Sequence, residues 1–270
     1  MSLVIEPGLA SANYWRDLWR YRELMYFLAW RDIVIRYKQT VIGVAWALIR
    51  PALTMVVFVL FRRLMGNPAS GVPEPVLVLA AVLPWQFFSA ALQDSSGSMV
   101  GNANLIAKVY FPRMIVPIAS VLTAFADFVV TLALLGLLMA WYGVAPGWTL
   151  VALPALVLLA GAMALGAGLF FAALTVEYRD FRYVVPFVLQ IGLFVSPIAF
   201  TTNTVPQPWK SVYVLNPLVG LIDGFRWSIL GAATPPAPEA LAASVVITVV
   251  SLVLGVWYFR RMERTFADVV

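Results

Sequence analysis

Three charged side chains stand inside apolar stretches of this sequence: Arg50, Asp94 and Asp127. A charge at membrane depth costs at least ~2.5–3.5 kcal/mol on insertion scales, so each must face protein or water, or lie close enough to an interface to escape. Arg50, beside Pro51, has both options open: it can turn toward protein or water, or snorkel if its apolar run begins later. Asp94, next to Ser95 and Ser96, can lie at the interface, whereas Asp127 is deeper and has Thr123, Thr131 or a neighbouring span as hydrogen-bond partners. Proton relay needs a chain of acidic partners, and neither aspartate has one in sequence. The chain contains neither His nor Cys, which excludes thiol chemistry, disulfides, imidazole acid–base catalysis and His-based metal sites. Its only lysines, Lys38, Lys108 and Lys210, each follow a residue other than glycine, so there is no Gly-x-x-x-x-Gly-Lys-Ser/Thr loop with which to hydrolyse ATP. An intramembrane glycosyl- or acyltransferase would want convergent carboxylates or a histidine on one face, and the acids here are scattered.

A second set of chemically expressive residues fills positions 102–113, Asn-Ala-Asn-Leu-Ile-Ala-Lys-Val-Tyr-Phe-Pro-Arg, between apolar runs at 76–99 and 114–141. Asn102 or Asn104 can act as an N-cap. Leu105, Ile106, Val109 and Tyr110 follow at helical spacing, and Pro112 stops the turn. A hairpin between two membrane spans needs only a few residues. Here there is a small amphipathic helix carrying Lys108, Arg113 and aromatic groups, a surface suited to being held by another protein. The plainer alternative is a helix resting on lipid headgroups.

The elements that must position these residues are set by composition. Of 270 residues, 62% are hydrophobic and 11% charged, and mean hydropathy is +0.90. Ordinary soluble domains are about 25% charged. The solvent of this chain is therefore largely lipid. Spans are predicted at 39–61, 76–99, 114–141, 150–175, 183–201 and 240–259. Gly161, Ala164, Gly166 and Gly168 make the fourth a place of close helix approach. Residues 1–13 read as a weakly structured leader without signal-peptide character. Tyr14, Leu18, Tyr21, Met25 and Leu28 then form one stripe of an amphipathic helix running to Ile35, with Trp15, Trp19, Phe27 and Trp30 widening its apolar side, as expected for a helix lying in the membrane plane. Residues 202–239 hold too many Pro and Gly for a crossing and read as re-entrant or surface helices, with Asp223 and Arg226 as a local pair. The expected architecture is an all-α polytopic membrane protein: an N-terminal interfacial helix within 1–38 and a six-span domain at 39–270. With the N-terminus inside, thirteen Lys and Arg fall on the cytoplasmic side against four outside, Arg50 unassigned, which places both termini in the cytoplasm. The net charge of +5 sits beside spans and does not suggest nucleic acid.

Several stretches together resemble one family. They are 31–46 (Arg-Asp-Ile-Val-Ile-Arg-Tyr-Lys-Gln-Thr-Val-Ile-Gly-Val-Ala-Trp), 83–88 (Leu-Pro-Trp-Gln-Phe-Phe), 102–113, 178–183 (Tyr-Arg-Asp-Phe-Arg-Tyr) and 215–218 (Leu-Asn-Pro-Leu). In order and spacing, from about residue 18 to 264, the chain is similar to the type-2 ATP-binding-cassette permeases that export polysaccharides, most of all those for O-antigen, with teichoic-acid and capsule exporters nearby; a type-2 permease for drugs or small lipids is the remoter alternative. The resemblance implies a homodimer in the bacterial inner membrane bound to two copies of a separate ATPase, which would hold ATP and Mg, while this chain carries no cofactor or metal. It also implies an undecaprenyl-linked glycan as cargo. Residues 102–113 would be the coupling helix seated in the ATPase, through Asn104, Leu105, Ile106, Lys108, Tyr110 and Arg113. Arg16, Arg20 and Arg31 could draw the lipid carrier's pyrophosphate, or simply pair with bilayer phosphates. Aromatic and small polar groups suited to a sugar channel are Tyr37, Trp46, Trp85, Phe87, Phe88, Gln190, Phe194, Ser196 and Phe200; ordinary packing is the competing role for each.

Overall fold

The computed structural model describes residues 14–38, 45–66, 71–200, 202–231, 235–263 and 266. The leader at 1–13, the first residues of the expected opening span (39–44) and Arg264 lie outside the described residues. Everything regular within them is helical. The order is α1 (Tyr14–Arg20), α2 (Arg22–Lys38), α3 (Ala45–Leu64), α4 (Glu74–Gly101), α5 (Ala103–Lys108), α6 (Ile115–Trp141), α7 (Leu153–Glu177), α8 (Phe181–Val195), α9 (Gln207–Val214), α10 (Pro217–Leu230) and α11 (Pro238–Met262). A 3₁₀ turn at Trp148–Ala152 leads into α7.

Among the described residues five helices are long and apolar enough to cross a membrane: α3, α4, α6, α7 with its leading turn, and α11. Of its most apolar window α4 buries 78%, against 22–33% in the other four, so α4 is the axis round which the rest gather. Its residues Val76 to Leu83 are apolar on every side, as befits a helix enclosed by neighbours rather than by lipid. Small residues then decide how closely α7 is gripped. A Cβ on Gly255 of α11 would stand 2.1 Å from the Gly166 carbonyl oxygen, and one on Gly168 would meet the Ser95 side chain of α4 at 2.4 Å. Backbone touches backbone at the first of these crossings, with no side chain between them, which is how membrane helices gain dispersion energy that lipid cannot match.

The expected fifth span differs from what forms. α8 is 15 residues long, roughly 22 Å at 1.5 Å per residue against a hydrocarbon thickness of ~30 Å. Pro197 ends it, and residues 196–200 continue as irregular chain. Buried irregular backbone must find donors, and two buried arginines provide them. Arg226 of α10 donates to the carbonyls of Ile198 (2.8 Å) and Phe200 (3.2 Å), and Arg62 of α3 to that of Ala199 (3.0 Å). Arg62, in the last turn of α3, is only 3% exposed. Asp223 lies 3.7 Å from Arg226, the expected pair, and accepts from Thr202 as well. α10 begins where Asn216 caps it, its side-chain oxygen accepting the Leu218 N–H at 3.1 Å, with Pro217 in the first helical position and Gly231 in the left-handed region at the end.

α1 and α2 are nearly one helix, interrupted at Tyr21. The stripe anticipated from spacing faces the protein: Tyr14 and Leu28 are buried, and Leu18, Tyr21 and Met25 pack on the cluster of Met99, Ile115, Phe259 and Phe266. Trp15, Trp19, Phe27 and Trp30 are exposed.

Candidate functional site: a charged cleft and a projecting turn

The last turn of α2 faces α4 and α6, and there the intramembrane acids find their partner. Arg36 reaches both, its Nη2 donating to Asp94 Oδ2 at 2.7 Å and its Nη1 to Asp127 Oδ2, while the Tyr37 hydroxyl donates to the other oxygen of Asp127. The planar guanidinium fork suits one cation to two carboxylates. Thr123 and Thr131 are not the partners of the Asp127 carboxylate: Thr123 donates to the backbone of Ala119 and Ala29, and Thr131 to the Asp127 carbonyl. Nor is Asp94 a plain interfacial acid.

These groups form one wall of a cleft of ≈ 640 Å³ between α2, α3, α4 and α6. Arg50 lines it from α3, across the cleft from Arg36 and the two acids. Gln86, Gln93 and Trp46 line it too. Side chains of Arg36, Asp94 and Asp127 are 35%, 34% and 28% exposed, so the network is open to the cleft rather than sealed. Sequence reasoning missed Arg36, counting it only as a positive charge near a span. The signal was present: Leu28, Asp32 and Arg36 step by four, so the buried stripe of α2 carries Arg36 inward.

The expected channel residues are not gathered in one place. Tyr37 and Trp46 line the cleft. Trp85 (4% exposed) and Phe88 (8%) are packed within the chain, and Trp85 fills the space left by Gly192 of α8. Ser196 is also buried, and Phe200 stacks near Tyr213 with ring centroids 5.9 Å apart. Gln190 and Phe194 are exposed on α8. Burial turns Trp85, Phe88 and Ser196 away from any lumen of this chain, because neighbouring helices already occupy their surroundings.

Residues 102–113 form a shorter helix than their spacing suggests. α5 ends at Lys108, and Val109 is extended (φ −129, ψ 132), so Val109 and Tyr110 lie beyond it. Asn102 does not cap it by its side chain; its amide donates to the Ser98 carbonyl at 2.9 Å and its oxygen accepts from Arg31 at 2.9 Å. Ile106 is buried against the chain's own core, and Leu105 packs on the same cluster. Arg113 is engaged internally: its backbone N–H donates to Glu263 Oε1 at 3.0 Å and its guanidinium to the Glu263 carbonyl. The Tyr14 hydroxyl donates to the same carboxylate at 3.2 Å. Burial raises the Glu263 carboxyl above the usual range, and these donors pull it back. Asn104, Lys108, Val109 and Tyr110 remain exposed, the last by 66%. Of the arginines expected to meet a lipid carrier, Arg16 and Arg20 are exposed, while Arg31 is occupied by Asn102 and Asp32.

Helices of span length gathered round an open, charge-balanced cleft, with a short helix at the turn between two of them, define a multi-pass membrane protein. The chain belongs to the ABC-2 type transporter membrane family, whose profile matches residues 23–230. It is therefore a transmembrane permease subunit and not itself an ATPase, and membership implies an ATPase partner. It is 28% identical over 256 residues to an O-antigen export system permease protein RfbA of Myxococcus xanthus, covering 94% of this chain and 97% of the relative. It is 23% identical over 251 residues to a protein of that name in Klebsiella pneumoniae, covering 92% and 95%. A polysialic acid transport protein, KpsM of Escherichia coli, is 23% identical over 243 residues, covering 87% and 91%.

Proposed function

We propose that this chain is the transmembrane subunit of an ATP-driven exporter that carries a lipid-linked polysaccharide of the O-antigen type across the bacterial inner membrane. The observation that carries the reading is the end-to-end similarity to an O-antigen export permease, over 94% of this chain. The KpsM likeness extends over less of both chains, so capsular glycan is the second choice.

In this reading the working unit is a homodimer with two copies of a cytoplasmic ATPase. α8 and its arginine-held extension serve as the sixth crossing, giving six spans, both termini lie in the cytoplasm, and α9 and α10 sit at the outer end as a re-entrant region. α5 seats in the ATPase through Asn104, Lys108 and Tyr110, with Leu105 and Ile106 holding it to the permease from within. Arg16 and Arg20 face the headgroups, where the undecaprenyl pyrophosphate carrier would be met. Tyr37 and Trp46, with Gln190 and Phe194 on α8, are the groups available to sugars along the path. ATP and Mg belong to the partner.

The test is co-purification of the chain with the ATPase encoded beside it, in lipid, followed by an ATPase assay with and without lipid-linked glycan. A two-plus-two complex whose hydrolysis responds to the glycolipid is the expected result. A chain that purifies alone, ignores the ATPase and still moves or modifies glycolipid would overturn the proposal.

A further inference from the structure

α2 is held to the membrane helices by a line of polar ties rather than by apolar packing alone. Thr123 of α6 donates to the Ala29 carbonyl at 3.4 Å. Two residues later Arg31 donates to Asn102, the residue that closes α4 and opens α5. At the end of α2, Arg36 spans Asp94 of α4 and Asp127 of α6, and Tyr37 adds a second bond to Asp127. The ties therefore reach both helices that flank α5 and the junction residue itself. The other charged groups near the network are Arg50, on α3 across the cleft, and Asp32, already paired with Arg31.

We infer that Arg36 is a positioning residue that makes α2 part of the α4–α5–α6 body, so that displacement of α5 carries the interfacial helix with it. The deduction rests on the proposed role of α5 in taking up the ATPase stroke. Its physical basis is the one-to-two arrangement. A single guanidinium satisfies two acids on two helices, and removing it would leave two like charges facing each other in a part-buried site, which is unfavourable. α2 cannot drift from one helix without stranding a carboxylate on it.

The absence of cysteine makes the test clean. Spin labels are placed on Glu23→Cys in α2 and Gly101→Cys at the end of α4, both exposed positions, the latter with open space where a Cβ would go. The wild-type background is expected to give one narrow distance in lipid, unchanged when ATP is added to the complex with the ATPase. Arg36→Lys keeps the charge but replaces the fork with a point cation. It is expected to broaden that distance and lower export roughly ten-fold, within the range known for residues that transmit coupling, with ATPase association intact. The triple variant Arg36→Gln/Asp94→Asn/Asp127→Asn removes all three charges of the network together, so neither carboxylate is left facing the other, and Arg50 across the cleft is exposed and can keep its charge. It should insert and bind ATPase as the wild type does, yet show the same broadening and loss of export.

A narrow distance in both variants overturns the inference, even if export falls, because Arg36 would then act on the cargo rather than on α2. Broadening with full export overturns it as well. The distance is measured on the membrane-embedded chain before any nucleotide or glycolipid is added. A wild-type chain that fails to bind the ATPase would thus refute the proposed function while leaving the tie itself measurable.

Discussion

Ile106 and Tyr110 stand four residues apart at the same turn and face opposite ways, the first 6% exposed and the second 66%. Their substitutions should separate. Tyr110→Ala with Lys108→Glu is expected to abolish export and weaken ATPase pull-down while insertion stays normal; full export by this variant would remove α5 from the coupling path. Ile106→Ala should instead loosen the chain's own core, by about 2–5 kcal/mol for a fully packed site, seen as a lower unfolding midpoint in detergent. Arg226 gives a second contrast at this scale. Arg226→Met withdraws the donor from the Ile198 and Phe200 carbonyls and leaves the part-buried Asp223 with the Thr202 hydroxyl as donor. A loss of about 3–5 kcal/mol is the usual cost of breaking a buried pair from one side, and limited proteolysis should then cut at residues 196–200 first. Unchanged stability and protection would show that other contacts hold that stretch.

At the scale of elements, the α7–α11 crossing is the tightest contact in the fold. Gly255→Val would drive a side chain into the Gly166 carbonyl, and should destabilise at or beyond the upper end of the ~1–3 kcal/mol typical of overpacking. Gly136 of α6 has open space at its Cβ position, so Gly136→Ala should leave the unfolding midpoint unchanged or raise it slightly; equal losses at the two sites would mean that close approach is not what Gly255 provides. The ends of α4, α6 and α11 were readable to within a few residues, because lipid demands long apolar runs and polar residues mark where they stop. α5 and α8 were not so readable. Periodicity ran through Val109 and Tyr110, but the Pro112 turn takes them out of the helix. Apolar residues continue past Val195, yet Pro197 ends the ladder and only arginines from α3 and α10 keep the remaining backbone satisfied.

For the whole molecule, α3 and α8 each present apolar side chains that the chain itself leaves uncovered: Leu53, Val57, Tyr183, Phe187 and Phe194 are all more than half exposed. In the proposed homodimer a two-fold partner would meet itself at α8. Phe187→Cys or Phe194→Cys in this cysteine-free chain should therefore give a disulfide-linked species at twice 29.7 kDa under mild oxidation; monomer alone from both would exclude α8 from the dimer axis. Class, the positions of α4, α6, α7 and α11 to within a few residues, and the turn between α4 and α6 could be read before any coordinates, since each is local in sequence. The cleft could not. Arg36 and Asp127 are 91 residues apart, and Arg113 and Glu263 are 150 apart; nothing in a single sequence says which distant charges will meet, only that buried ones must.

The glycine seam between α7 and α11 also governs the birth of the protein. Synthesis delivers α7 to the bilayer well before the C-terminal helix exists, and for that interval the narrow groove at Gly166 faces lipid or whatever helix drifts past. Nascent membrane chains with an unfilled small-residue groove are prone to mispairing. Since α11 also brings Glu263 to Arg113 and Tyr14, its arrival closes the groove and fastens the first and middle parts of the chain in one event. Without α11, α4, α6 and α7 still pack on one another, but the groove at Gly166 stays open and Arg113 and Tyr14 lack the Glu263 carboxylate.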